Sequence, residues 1–211
     1  MFILGVVGGI GSGKSSVSQL LAKNGATILN ADRIGHDVLR QMAVKEAVQR
    51  WFGDSVFDPT GEINRKELAK IVFSPTEKGK DDLAFLNDLT HSRIAEDCRK
   101  VLAELERQET KLVVLDAALL FESGWNELAN AVIFVDVPES IRLERCEKRG
   151  WSRTEFLARE SAQWSIEEKR QLADYILSNA GTPADLEKKV QEFHNNISFF
   201  HLETTGRLSQ T

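Results

Sequence analysis

The chain has 211 residues, of which 42% are hydrophobic and 28% are charged, and its net charge is −5 at pH 7. These values are ordinary for a globular protein, and the acidic balance offers no general basic surface to nucleic acid. No run approaches the ~18 apolar residues of a membrane span. Because the first strand begins without a basic leader, we expect a cytoplasmic protein that has no signal peptide. Cys98 and Cys146 are widely separated, so we expect free thiols.

The first predicted elements enclose a glycine-rich loop. Apolar residues predict a buried strand over Phe2–Val7, and the pattern over residues 16–22 predicts an amphipathic helix. Between them, residues 8–15 read Gly-Gly-Ile-Gly-Ser-Gly-Lys-Ser, the G-x-x-x-x-G-K-[ST] pattern of a phosphate-binding loop in its required strand–loop–helix context. The spacing differs from the G-x-G-x-x-G pattern of dinucleotide-binding folds. We therefore predict a nucleoside triphosphate site.

The residues of this loop have separate predicted tasks. Glycines let successive N–H groups curl around a phosphate, and the helix N-terminus adds a partial positive charge. Lys14 is predicted to reach the β- and γ-phosphates, and the Ser15 hydroxyl to ligate Mg²⁺ that enters with ATP. The candidate ATP-binding residues of this segment are Gly9, Gly11, Ser12, Gly13, Lys14, Ser15 and Ser16.

Apolar runs further along the chain predict the rest of a sheet, at residues 26–29, 112–115, 132–135 and 175–177. They are rich in Val, Ile and Leu without strict alternation, which is typical of parallel strands covered on both faces. Helical patterns lie between them. The sequence therefore predicts an α/β fold, a doubly wound, five-stranded parallel sheet like that of the phosphate-loop kinases.

Two intervals between the predicted strands are read as helical insertions. The interval before the third strand is too long for a simple crossover. It carries helical patterns at residues 34–52, 65–72 and 81–107, and a turn at residues 58–61. We predict a nucleotide-binding core (residues 1–33, 110–140 and 169–200), an acceptor-binding insertion (34–109), a lid (141–168), a terminal helix over 184–197 and a mobile tail (201–211).

Acidic side chains follow two of the predicted strands, at the sheet edge where ligands bind in parallel sheets. Asp32 either accepts a proton from an acceptor hydroxyl or caps a helix that starts at Arg33, and both roles stay open. Asp116 indicates a Mg²⁺-binding group that acts through water. His36 can face the same crevice as Asp32. Glu122 either contacts substrate or caps a turn.

A basic helix face is predicted directly after the fourth strand, at Arg142, Arg145 and Arg149. Many such charge runs are only solvated faces. At this place, however, a closing lid brings guanidinium groups to phosphates. We therefore predict that Arg145 and Arg149 act with Lys14 in phosphoryl transfer, and that Arg149 also binds ATP.

Three functions compete for such a chain. A GTP-driven switch is disfavoured, because the D-x-x-G match at residues 58–61 has no apolar strand before it and no Asn-Lys-x-Asp motif occurs. An ATPase subunit is disfavoured because Ala117, not a glutamate that activates water, follows Asp116. A small-molecule kinase needs a phosphate loop, an acceptor pocket and a lid that excludes water, and the sequence offers all three.

Motifs across residues 2–197 resemble those of the dephospho-coenzyme A kinase family. The matching segments are residues 8–16, Asn30-Ala31-Asp32 with His36, Phe52-Gly53, Asp58 with residues 61–65, Val72-Phe73, residues 119–124 (Leu-Leu-Phe-Glu-Ser-Gly), Arg159 with Gln163, and residues 173–176 (Ala-Asp-Tyr-Ile) with Asn179. Asn30, Ser92 and Ala118 depart from the family pattern, which has an aspartate at the first of these positions and prolines at the other two.

The resemblance implies transfer of a phosphoryl group from ATP to the ribose 3′-hydroxyl of dephospho-coenzyme A, the last step of coenzyme A synthesis. It implies that Asp32 is the catalytic base, that Asn179 binds ATP and that residues near Asn179 approach the adenine. The acceptor-binding residues carried over are His36, Arg65, His91, Leu119, Glu122 and Arg159. We expect a monomer whose partners are ATP and dephospho-coenzyme A.

Overall fold

A computed structural model describes the backbone of residues 1–207 and the side chains of residues 1–197. Its centre is a five-stranded, all-parallel sheet in the order β2-β3-β1-β4-β5. The strands are β1 (Phe2–Val7), β2 (Thr27–Asn30), β3 (Leu112–Asp116), β4 (Ala131–Asp136) and β5 (Tyr175–Ser178). The predicted fold class is confirmed.

Turns and a short 3₁₀ helix (Trp125–Leu128) connect β3 to β4, whereas the other strands are connected by α-helices. The α-helices are α1 (Lys14–Lys23), α2 (Ala31–Val38), α3 (Met42–Phe52), α4 (Arg65–Val72), α5 (Glu77–Arg107), α6 (Glu139–Glu147), α7 (Arg153–Ser161), α8 (Ile166–Leu172) and α9 (Pro183–Arg207). None of the helices in residues 1–207 is long and apolar enough to cross a membrane. Helix α9 continues past the predicted end at residue 197, so the predicted tail is helical up to Arg207, and residues 208–211 lie outside the described residues.

The chain forms two compact units, residues 1–30 with the chain from residue 103 onward, and residues 31–102. In the first unit, α1 and α9 cover one face of the sheet. Val17 and Leu21 of α1 and Val190 of α9 are fully buried in one cluster with Leu4 and Val6 of β1. Burying each such side chain stabilises the fold by about 1.5–3 kcal/mol, which fixes β1 and α1 and therefore the loop between them.

The second unit differs from the predicted helices most clearly at a break near Gln41. Residues 34–52 form two helices, α2 and α3, with extended backbone at Gln41 (φ −65°, ψ 135°) between them. In one continuous helix, Val44 would point about 120° away from Val38. Both side chains are fully buried, so the break is what lets both reach the core.

Local hydrogen bonds set the other boundaries in this unit. Helix α5 begins before the predicted residue 81, because the Thr76 hydroxyl accepts a bond from the Gly79 amide at 3.0 Å and caps its first turn. The predicted turn at residues 58–61 is confirmed. There the Asp58 carboxylate accepts bonds from the hydroxyl and the amide of Thr60 at 2.6 and 2.8 Å, and these bonds lower the pKa of Asp58.

Candidate active site

The phosphate loop (residues 8–15) connects β1 to α1, as its sequence predicts. Gly11 and Gly13 have φ values of +77° and +89°, a region that side-chain-bearing residues rarely adopt. A Cβ at Gly11 would lie 2.5 Å from the Arg142 carbonyl oxygen. Because α1 begins at Lys14, the partial positive charge of its N-terminus falls at this loop.

The Lys14 side chain lies against the beginning of the loop. Its ammonium group donates to the carbonyl oxygens of Gly8 at 3.0 Å and Gly9 at 3.3 Å. Ser15 and Ser16 are exposed at the start of α1, whereas Ser12 is fully buried. The loop therefore offers a cation and two accessible hydroxyl groups next to its glycines.

Arg145 and Asn179 brace the other side of the loop. The Asn179 carboxamide donates to the Ser12 carbonyl oxygen at 2.7 Å, and its backbone amide donates to Asp136 at the end of β4. The Arg145 guanidinium donates to the Asn179 carbonyl oxygen at 2.9 Å and lies 3.4 Å from the carbonyl oxygens of Gly11 and Ser12. The structure thus brings together site residues predicted from three distant parts of the sequence.

A cavity of about 560 Å³ opens beside the loop, a volume within the usual range for a small-molecule site. Its wall combines apolar side chains with cations, and Arg149 is exposed there, with no side-chain bond to any described residue. The lining residues include Gly13, Ser16, Leu20, Lys23, Arg145, Arg149, Asn179, Pro183, Ala184 and Leu186. The apolar part of this wall is formed by Leu20, Pro183, Ala184 and Leu186, and Gly13 of the phosphate loop lies at its border.

Oxygen groups suited to Mg²⁺ lie at the start of α1 and the end of β3. Ser15 is exposed. Asp116 is a buried residue, 5% exposed, and its backbone pairs with Val6 of β1 and Asn30 of β2. Among the described residues no group of three His, Cys, Asp or Glu side chains could hold a metal ion by itself. The Ser15 hydroxyl and the Asp116 carboxyl are oxygen groups of the kind that Mg²⁺ prefers, so they fit an ion that is also held by phosphate oxygens and water.

Glu122 makes a contact that neither of its predicted roles describes. Its carboxylate pairs with the Lys169 ammonium at 2.6 Å and accepts a bond from the Trp164 amide at 2.9 Å. Lys169 is 1% exposed and also donates to the Gln163 side chain at 2.9 Å. The second oxygen of Glu122 is buried and has no hydrogen-bond partner among the residues that the structure describes. No local sequence signal marks Lys169, because it stands among other charged residues of α8.

The remaining predicted residues of the first unit, Leu119 and Arg159, make other contacts. Leu119 is in the turn after β3, where its carbonyl oxygen accepts a bond from the Ser123 amide at 2.9 Å. Arg159 on α7 lies over the Trp151 ring, 4.6 Å from its centroid. Ala118, which replaces a proline of the family pattern, has its carbonyl oxygen 3.4 Å from the Lys169 ammonium.

In the second unit, Asp32 and His36 lie one turn apart on α2, and Arg65 at the start of α4 is close enough to His36 for its charge to act there. Burial, reinforced by the Arg65 charge, lowers the pKa of His36, and the Asp32 charge opposes this. Helix α2 begins at Ala31, so Asp32 lies within its first turn, and the alternative that Asp32 caps a helix from residue 33 is wrong. His91 is half-buried on α5, and Ser92 continues that helix where a proline would interrupt it.

Comparison with known proteins gives one consistent family. A family model described as dephospho-CoA kinase matches residues 2–185. The dephospho-CoA kinase of Lactobacillus johnsonii is 36% identical over 199 residues, covering 93% of this chain and 98% of that protein. A crystal structure of TT1252 from Thermus thermophilus is 36% identical, with a TM-score of 0.73 over 91% of this chain and 95% of that one. The dephospho-CoA kinase of Campylobacter jejuni is 26% identical, with a TM-score of 0.69 over 94% and 98%.

Proposed function

This chain belongs to the dephospho-CoA kinase family, and we propose that it transfers the γ-phosphoryl group of ATP to the ribose 3′-hydroxyl of dephospho-coenzyme A. The family resemblance read from the sequence is thereby confirmed. The observation that carries the proposal is the phosphate loop, which is braced by Arg145 and Asn179 and opens beside a cavity large enough for a nucleoside. We further propose that the enzyme works in the cytoplasm as a monomer.

On the ATP side, the proposal gives each cation a separate task. Lys14 moves with the γ-phosphoryl group and stabilises the charge that spreads over its oxygens. Arg149, exposed in the cavity wall, binds phosphate oxygens directly. Arg145 orients the loop through Gly11 and Ser12 and adds its charge to the same region. Mg²⁺ bound to Ser15, and through water to Asp116, would supply further charge neutralisation.

On the acceptor side, Asp32 accepts the proton of the ribose hydroxyl as the oxygen attacks phosphorus. The other proposed acceptor-binding residues are His36, Arg65, His91, Leu119, Glu122 and Arg159. Because the pKa of His36 is lowered, its ring is neutral at pH 7 and offers one donor and one acceptor nitrogen instead of a second positive charge.

A comparison of acceptors tests the proposed reaction. Purified enzyme is given ATP and Mg²⁺ with dephospho-coenzyme A, AMP or shikimate, and ADP formation is followed in a coupled assay. Of the three acceptors, we expect only dephospho-coenzyme A to give rapid turnover. Faster turnover with shikimate or AMP would overturn the assignment of the acceptor.

Replacement of Asp32 by asparagine tests the proposed base. Asp32→Asn keeps the size and polarity of the side chain but removes the proton acceptor, so turnover should fall by about a hundredfold or more. Because phosphoryl transfer has a loose transition state that needs little early deprotonation, we expect the lower part of the usual range. Asp37→Asn, an exposed change on the same helix, is the matched control. Near-normal turnover in Asp32→Asn would contradict the assignment.

A further inference from the structure

Arg142 has a different environment from the other arginines of its helix face. Its side chain is 4% exposed, and its Nε donates to the Val137 carbonyl oxygen at 3.1 Å. Its Nη1 donates to the Ile10 carbonyl oxygen at 3.2 Å and to the Glu160 carboxylate. The guanidinium carbon lies 5.5 Å from the centroid of the Phe156 ring. Arg142 therefore belongs to the protein interior.

These contacts leave no room for a phosphate at Arg142. A Cβ at Gly9 would lie only 2.6 Å from Nη1, so the loop backbone is packed directly on the guanidinium. The three arginines of the predicted basic face therefore have different environments. Arg149 is exposed in the cavity, Arg145 lies at its edge, and Arg142 is enclosed.

One nitrogen atom of Arg142 links the phosphate loop to α7. Nη1 bonds both Ile10, inside the loop, and Glu160, near the end of α7 in the predicted lid. The Glu160 side chain is 21% exposed, so solvent screens the pair only in part. A shift of α7 that moved Glu160 would leave a buried guanidinium without its counter-charge, and the guanidinium would have to move with it.

We propose that Arg142 is a positioning residue that couples α7 to the phosphate loop. While Glu160 holds the guanidinium, Arg142 keeps the Ile10 carbonyl oxygen turned toward itself, and the loop stays in its phosphate-binding conformation. ATP binding then favours one position of α7, and α7 in that position favours ATP binding, because such coupling is reciprocal. This inference rests on the proposed function only in taking ATP as the ligand of the loop.

The test measures the affinity of a non-hydrolysable ATP analogue by titration calorimetry, well below the melting temperature. Glu160→Gln keeps the shape of the side chain and leaves Arg142 its bonds to Ile10 and Val137. The amide oxygen of the new side chain still accepts a bond from Arg142 but carries no counter-charge, so we expect the dissociation constant of this variant to rise about tenfold. Glu144→Gln is the control, because it neutralises an exposed glutamate of α6 that pairs with Lys148, and it should bind like wild type.

Variants of the arginine complete the test. Arg142→Lys retains the charge but not the forked set of donors, so it should bind the analogue more weakly than wild type and better than Arg142→Met. If the two side chains act through one contact, Arg142→Met with Glu160→Gln should bind no more weakly than Arg142→Met alone. Should Arg142→Met fail to fold, Glu160→Gln and Arg142→Lys still decide the question.

Hydrogen exchange gives a second readout. Binding of the analogue should slow exchange in α7 of the wild type, and this protection should be largely lost in Glu160→Gln. A lower melting temperature in Glu160→Gln with unchanged affinity and unchanged protection would overturn the coupling and leave only a structural ion pair. Additive losses in the double variant would overturn it too. A wild type that binds the analogue but does not phosphorylate dephospho-coenzyme A would refute the proposed function alone.

Discussion

Replacement of Lys169 by methionine removes the cation of the most enclosed ion pair in the described part of the molecule. Lys169 is 1% exposed and Glu122 is 11% exposed, so neither solvent nor salt can replace the lost partner. The variant leaves a buried carboxylate with only the Trp164 amide to stabilise it. Breaking a buried pair in this way costs about 3–5 kcal/mol. For a chain of this length that loss lowers the melting temperature by roughly 6–20 °C.

Thermal unfolding followed by circular dichroism measures this loss, and the chain offers a matched control. Lys148 and Glu144 are also 2.6 Å apart, but their side chains are 72% and 60% exposed, so Lys148→Met should change the melting temperature very little. Adding Glu122→Gln to Lys169→Met removes the stranded charge and should restore part of the loss. A Lys169→Met variant that melts like wild type, or a double variant less stable than the single one, would show that the buried pair does not stabilise the fold in this way.

Three further outcomes follow from the loop and from α2. Lys14→Ala should lower turnover a hundredfold or more, and a variant that kept a tenth of normal turnover would show that Lys14 is not at the reacting phosphate. Gly11→Ala should weaken binding of an ATP analogue and lower the melting temperature more than Gly25→Ala does. Both glycines have positive φ, but of the two only Gly11 is crowded by neighbouring backbone, so equal effects would contradict this explanation. Because the pKa of His36 is lowered, the unfolded chain binds its proton more readily, so the free energy of unfolding should fall as the pH drops below 6.5. His36→Gln should flatten that fall, and an unchanged slope in denaturant titrations would show another origin.

The features that the sequence predicted correctly are those determined by residues close together in the chain. The phosphate loop is contiguous, and its glycines, lysine and serine have fixed offsets, so its place between β1 and α1 could be read directly. The strands were also found, although β2, β4 and β5 each end one residue later than predicted, and β3 extends to Asp116. That extension reflects pairing with Val6 and Asn30 on both neighbouring strands, which the local pattern does not contain.

The features that were not predicted depend on contacts between distant residues. The break at Gln41 has no glycine or proline to announce it and follows from the burial of Val38 and Val44. The partners Arg142 with Glu160, and Glu122 with Lys169, stand in sequence segments that look like ordinary solvated charge runs. Only the packing of α6, α7 and α8 shows which of these charges are enclosed.

The transfer of the phosphoryl group from ATP to the ribose 3′-hydroxyl can be tested directly by ³¹P NMR. Enzyme, Mg²⁺, ATP and dephospho-coenzyme A are combined, and the products are measured by ³¹P NMR over the time course. We expect one new monoester resonance, assigned to the ribose 3′-position, that grows in step with ADP while inorganic phosphate stays at the background level. Growth of inorganic phosphate in place of the monoester, or a phosphoryl group on any other position of the acceptor, would contradict the proposed reaction.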